Sequence, residues 1–132
     1  LLLIDDYAHH PVELKAVLKT IKSTYPKRKN AIVFQPHLFS RTRDFMYDFA
    51  CVLSEFDEVI LLDIYPAREH PIEGVTSASL LNLISNPNKK KVQKAELLSV
   101  IEESKTDLLV MAGAGDIGLE VQKILMQLNP TT

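Results

Sequence analysis

Two carboxylates, a phenol and two imidazoles fall within the stretch Asp5-Asp6-Tyr7-Ala8-His9-His10-Pro11. Carboxylates here suit a ribose, a metal or a cationic group, and the histidines would orient an anion or an amine. The plainer reading has one aspartate capping backbone N–H groups in a turn and the histidines facing water. A second polar group follows in Gln35-Pro36-His37-Leu38-Phe39, running into Ser40-Arg41-Thr42-Arg43. Ser40 is a good N-cap, which would put both arginines in the first turn of a helix. The positive end of the helix dipole disfavours cations there. An anion opposite Arg41, nearest the loop with His37, would offset that; for Arg43 an anion and plain exposure to water beside Asp44 stay equally open. A third group, Gly113-Ala114-Gly115-Asp116-Ile117-Gly118, fits the G-x-G-x-x-G spacing of dinucleotide sites. It follows the last strand, not the first, and no ribose-binding acid comes after it. It reads first as a tight turn with close helix packing at Gly118, although a phosphate at this helix start is compatible with it.

These groups need elements to hold them. Leu1 to Ile4, Ala31 to Phe34, Val59 to Leu62 and Leu108 to Met111 are short continuous apolar runs, the pattern of strands buried on both faces. A weak strand is expected near Val92, with Lys89-Lys90-Lys91 protecting an edge. Helices are expected from about Pro11 to Ser23, Arg41 to Glu55, Ser77 to Ile84 and Ala95 to Glu103, with a closing amphipathic helix carrying Ile117, Val121, Ile124, Leu125 and Leu128. Strands alternating with helices predict an α/β domain: three layers, Rossmann-like, with a mostly parallel sheet of about five strands and helices on both faces. The polar groups then lie at the carboxyl edge, where open α/β sheets bind ligands. The third edge loop, Asp63 to Gly74, is the longest irregular segment.

A chain of 132 residues, 46% apolar and 24% charged, suits one folded domain. Its net charge of -2 argues against a nucleic-acid partner. No apolar run approaches the roughly 20 residues needed to span a bilayer, so no membrane partner is expected and the compartment reads as cytoplasmic. The single cysteine, Cys51, excludes an internal disulfide or a cysteine-rich metal site and reads as a small core residue. The start at Leu1, within a strand, reads as a fragment lacking earlier domains, and Asn129-Pro130-Thr131-Thr132 as a short polar tail.

Taken together, the first motif, Phe34-Gln35-Pro36-His37 with Ser40-Arg41-Thr42-Arg43, Asp63-Ile64-Tyr65-Pro66-Ala67 and Gly113 to Gly118 resemble the C-terminal domain of the Mur ligase family of peptidoglycan synthesis. The likeness runs the length of the chain and is sharpest to the alanine-adding member. It implies a three-domain enzyme in which residues 1–132 are the third domain. The absent N-terminal domain would hold the UDP-sugar, and the absent central domain the ATP phosphates and Mg²⁺. UDP-N-acetylmuramate and L-alanine would be the substrates, joined through an acyl phosphate. By the family's pattern Asp6 would bind the ATP ribose and Tyr7 would lie near the nucleotide. His9, His37 and Arg41 would line the amino-acid and acyl-phosphate side, and this domain would hold no metal. The family often has Arg where this chain has Leu38, which leaves more of any anion binding to Arg41. Three alternatives stay open: a related murein peptide ligase domain, a metal-dependent phosphoesterase using Asp5, Asp6, His9 and His10, and a stand-alone nucleotide-binding regulator.

Overall fold

The computed structural model describes residues 1–128; the tail at 129–132 lies outside them. Five strands form one parallel sheet: β1 (Leu2–Asp6), β2 (Asn30–Phe34), β3 (Glu58–Leu61), β4 (Lys89–Lys91) and β5 (Leu108–Ala112), in the order β1-β5-β2-β3-β4. The last strand therefore inserts between the first two. Its register pairs Asp6 with Ala112 on one side and Phe34 with Ala112 on the other.

Alternation along the strands divides the core. Ile32, Phe34, Val59, Leu61, Leu108 and Val110 face a layer built from α1 (Pro11–Thr24), α3 (Met46–Leu53) and α4 (Ser77–Leu83). Ala31, Val33, Ile60, Leu109 and Met111 face α5 (Leu97–Glu103) and α6 (Ile117–Leu128). Helices on both faces, an all-parallel sheet and five strands match the fold read from the pattern.

Several boundaries differ from expectation. The helix expected from Arg41 to Glu55 is two: α2 (Phe39–Asp44) and α3, broken at Phe45. Ser40 lies inside α2 and does not cap it. Leu38 holds the N-cap position at φ 75°, a conformation costly for a side chain of its size. Arg41 and Arg43 consequently fall in the last turn of a six-residue helix, so the dipole argument for an anion at Arg41 does not hold. Cys51 is exposed rather than buried, on the side of α3 away from Phe49, Val52 and Leu53. The run Leu2 to Ile4 is only half-buried, because β1 is an edge strand. The other edge strand is the lysine triplet itself, with Val92 just beyond it. Lys89 Nζ donates to the carbonyls of Leu81 and Ile84 at 2.9 and 2.7 Å, closing the end of α4, and Lys91 pairs with Asp63 at 3.0 Å. Among the described residues, no helix is long and apolar enough to cross a membrane.

Candidate functional site

The loops after β1, β2, β3 and β5 meet at the carboxyl edge, and most of the expected site residues meet with them. β1 runs on through Asp5 and Asp6, so alternation sends the two carboxylates to opposite faces of the sheet. Asp6 Oδ1 accepts the Ala8 N–H at 2.8 Å, a tight turn that lifts Tyr7 into solvent, 70% exposed. His9 follows, its Nδ1 2.9 Å from the Tyr7 carbonyl and 3.6 Å from Glu13 Oε1. His10 departs from the group. Its ring stands at the start of α1, accepts the Val12 N–H at 3.4 Å and packs on Phe45 with centroids 4.6 Å apart. Asp5, Asp6, His9 and His10 thus do not converge on a metal. Among the described residues there is no group of three or more His, Cys, Asp or Glu able to hold one.

The loop after β2 brings His37 within 5.9 Å of His9, ring centroid to centroid. Arg41, one helical turn on, places its guanidinium 3.2 Å from both His37 Nδ1 and the His37 carbonyl. A guanidinium can only donate, so Nδ1 of His37 is an acceptor and the neutral ring carries its proton on Nε2. The His9 contact has the opposite sense. A carbonyl can only accept, so His9 carries its proton on Nδ1, and its neutral ring has a free lone pair on Nε2. The two imidazoles are therefore complementary: one offers a donor, the other an acceptor. Burial, then the charge of Arg41, hold the His37 pKa below its usual value against an opposing pull from Glu69. The ring is thereby kept neutral, in the state its contact with Arg41 requires.

Three supporting residues had no role assigned from the sequence. Tyr65 stacks on His37, centroids 5.5 Å apart and planes 20° from parallel. Glu69 accepts the Ser40 N–H at 3.0 Å and the Ser40 hydroxyl, hydrogen bonds that lower its pKa. Both lie in the long loop after β3, and its length without regular structure was the available signal. Gln35, buried beneath the site, donates to Asp116 Oδ1 at 2.6 Å and accepts the Ile117 N–H at 3.1 Å. Burial pulls the Asp116 carboxyl upward, but hydrogen bonds from Gln35 and Lys94 outweigh it and the net shift is down.

These contacts also decide how the glycine motif is used. Gln35 takes the Ile117 N–H, and the Asp116 carboxylate precedes α6, so protein acceptors already serve the turn where a phosphate would sit. Nor is Gly118 the close-packed position: an added Cβ there would meet nothing within 4 Å. The crowded one is Gly115, where a Cβ would lie 2.5 Å from Tyr65 Cγ and 2.7 Å from Gln35 Oε1.

An all-parallel sheet with helices on both faces, and with acid, imidazole and guanidinium groups at its carboxyl edge, defines an α/β domain of the open-sheet class. The chain belongs to the Mur ligase family: residues 1–119 match the family model described as Mur ligase, glutamate ligase domain. It is 60% identical over 124 residues to the UDP-N-acetylmuramate–L-alanine ligase of Christiangramia forsetii, covering 94% of this chain and 27% of that protein. The UDP-N-acetylmuramate–alanine ligase of Thermotoga maritima superposes with a TM-score of 0.72 at 26% identity, over 98% of this chain and 27% of that one. A murein peptide ligase from Psychrobacter arcticus gives 0.71 at 18% identity, over 98% and 28%; at that identity the likeness is one of fold alone. The chain spans little more than a quarter of the length of these relatives.

Proposed function

We propose that residues 1–132 form the closing domain of an ATP-dependent ligase that joins L-alanine to UDP-N-acetylmuramate in peptidoglycan synthesis. The UDP-sugar domain and the central ATP domain would precede it, and the enzyme would work in the cytoplasm. The observation that carries the reading is the complementary pair His9 and His37 beside Arg41, in a chain 60% identical to a ligase of that name.

ATP, when bound, supplies the phosphoryl group that activates the muramyl carboxylate. This chain offers it an apt but partial donor set. Asp6 has one oxygen committed to Ala8, leaving the other for a ribose hydroxyl, and Tyr7 presents an open ring for the nucleotide. It offers no phosphate cradle, because the glycine turn is filled by Gln35 and Asp116. Mg²⁺ would be held mainly by the central domain, since no three of the described acids and imidazoles cluster here.

The chain's own groups divide the remaining work. His9 Nε2 accepts the proton that the alanine ammonium must lose before its nitrogen can attack. His37 Nε2–H and the Arg41 guanidinium, both donors, face the oxygens that carry negative charge as the amide forms. Leu38 adds no charge, so more of this duty falls on Arg41.

The test is an assay of the intact protein carrying this chain, supplied with ATP, UDP-N-acetylmuramate and L-alanine. Phosphate release dependent on both substrates is expected, with none when tripeptide replaces alanine and none from residues 1–132 alone. Preference for the tripeptide would move the assignment to a murein peptide ligase. Product from the isolated chain would overturn the domain reading.

A further inference from the structure

The ring of Tyr65 has two close neighbours. On one face lies His37, stacked at 5.5 Å and 20°. Gly115 approaches it so closely that a Cβ there would come within 2.5 Å of Cγ and 2.8 Å of Cδ1. The backbone is fastened as well. Tyr65 N–H donates to the Pro36 carbonyl and Leu38 N–H to the Tyr65 carbonyl, each at 2.8 Å, which extends the β2–β3 pairing past both strand ends. The buried Gln35 amide is fixed at both ends, to Asp116 and to the Ile117 N–H, and so ties down the turn that carries Gly115.

From this we infer that Tyr65 is a positioning residue for His37, acting through the flat face of its ring. An imidazole on a single χ2 axis can turn its plane freely unless something flat lies against it. Tyr65 supplies that surface. With the plane set, Nδ1 lies at the Arg41 guanidinium and Nε2–H is left to face the substrate oxygens. Without it, His37 could turn away from Arg41, and the tautomer that Arg41 imposes would be lost. The same ring also covers His37 from water, which contributes to the burial that keeps the imidazole neutral.

This inference rests on the proposed role of His37 only for its kinetic consequence; the geometric claim stands apart, and the experiment separates the two. NMR of residues 1–132 reads the His37 ring directly. The wild type and Tyr65→Phe should share upfield-shifted His37 carbon-bound protons, a single Nε2–H tautomer and a lowered titration midpoint. Tyr65→Leu should lose the upfield shift and mix the tautomers, with the midpoint rising. Gly115→Ala, whose Cβ would press on the ring and on Gln35 Oε1 but is not among the contacts of His37, should move the same signals and serves if Tyr65→Leu fails to fold. In the intact enzyme Tyr65→Phe should keep wild-type turnover. Tyr65→Leu should lower kcat by roughly 10- to 100-fold, the scale of a small misplacement of a catalytic group, while KM for ATP moves less than about threefold. His37 signals unchanged in Tyr65→Leu or Gly115→Ala would overturn the inference. So would Tyr65→Phe falling as far as Tyr65→Leu, since the hydroxyl would then be the working group. An inactive wild-type enzyme with His37 still dependent on Tyr65 would remove the ligase reading and leave the positioning intact.

Discussion

Arg41→Ala separates the site from the scaffold. In the folded chain the guanidinium makes two contacts, both at 3.2 Å and both to His37. Arg41 is half-buried, so these are modest hydrogen bonds. Losing them should cost about 1 kcal/mol, lowering the melting temperature by roughly 3–5 °C for a domain of this size. The chemical loss is larger. A charge-assisted contact to a substrate oxygen is worth about 2–3 kcal/mol, which is roughly 30- to 150-fold in kcat. A second effect has a distinct signature. The Arg41 charge is one of the causes that hold the His37 pKa down, after burial itself. Its removal lets that pKa rise, so the acid limb of the pH–rate profile should move to higher pH. Arg41→Lys should restore the charge and much of the pH profile. It should restore only part of kcat, because an ammonium lacks the planar fork. The assays are thermal unfolding of residues 1–132 and steady-state kinetics of the intact enzyme across pH 5 to 8. A variant that melts more than about 10 °C early, yet turns over near normally with an unmoved acid limb, would make Arg41 structural and refute the reasoning.

Stability should fall in two stages on acidification. The depressed His37 pKa means the unfolded chain binds that proton more tightly. Its contribution is therefore complete above the ordinary value of 6.5 and is lost as pH drops through the lower folded value. Glu69 and Asp116 are depressed from 4.5 and 3.8, so their contributions are complete above those values and lost below them. Urea midpoints between pH 3 and 8 should show both stages, and His37→Gln should erase the first; a flat profile down to pH 5 would contradict the assignment. Gln35→Leu should cost roughly 2–4 kcal/mol in urea unfolding, since it strands the Ile117 N–H in the interior and strips a donor from Asp116. A loss under about 1 kcal/mol would mean that the Gln35 contacts do not fasten the two loops.

What could be read from the sequence follows from where each strand lies in the sheet. β2 and β5 are central, wholly buried runs, and their apolar continuity located each to within a residue. The edge strands are harder. β1 has the same apolar continuity but only one neighbour, so its residues looked more buried than they are. β4 is three lysines, with no apolar signal; it forms because β3 presents an unpaired edge beside it. The break at Phe45 was hidden because Phe45 and Phe49 keep helical spacing across it. Cys51 was legible after all. It lies two positions from both Phe49 and Leu53, about 200° round the helix from each, so a wheel that buries those residues turns Cys51 to water.

The candidate site was half legible, and the missing half shares one cause. His9, His37 and Arg41 announce themselves by type, but the ring stacked on His37 comes from far along the chain. Tyr65 is in the loop after β3, and Gln35 joins Asp116 across 81 positions. The insertion of β5 between β1 and β2 makes this necessary. It separates the loops bearing His9 and His37 by two strand spacings, about 10 Å, yet the rings come to 5.9 Å. Both loops must therefore reach over the end of β5, and the turn leaving β5 must stay low. Gly113, at φ 154° and 3.0 Å from the Gln35 carbonyl at its absent Cβ, and Gly115, against Tyr65, keep it so. The first two glycines of the motif that suggested a nucleotide turn are, in this chain, what the packing around the two histidines requires.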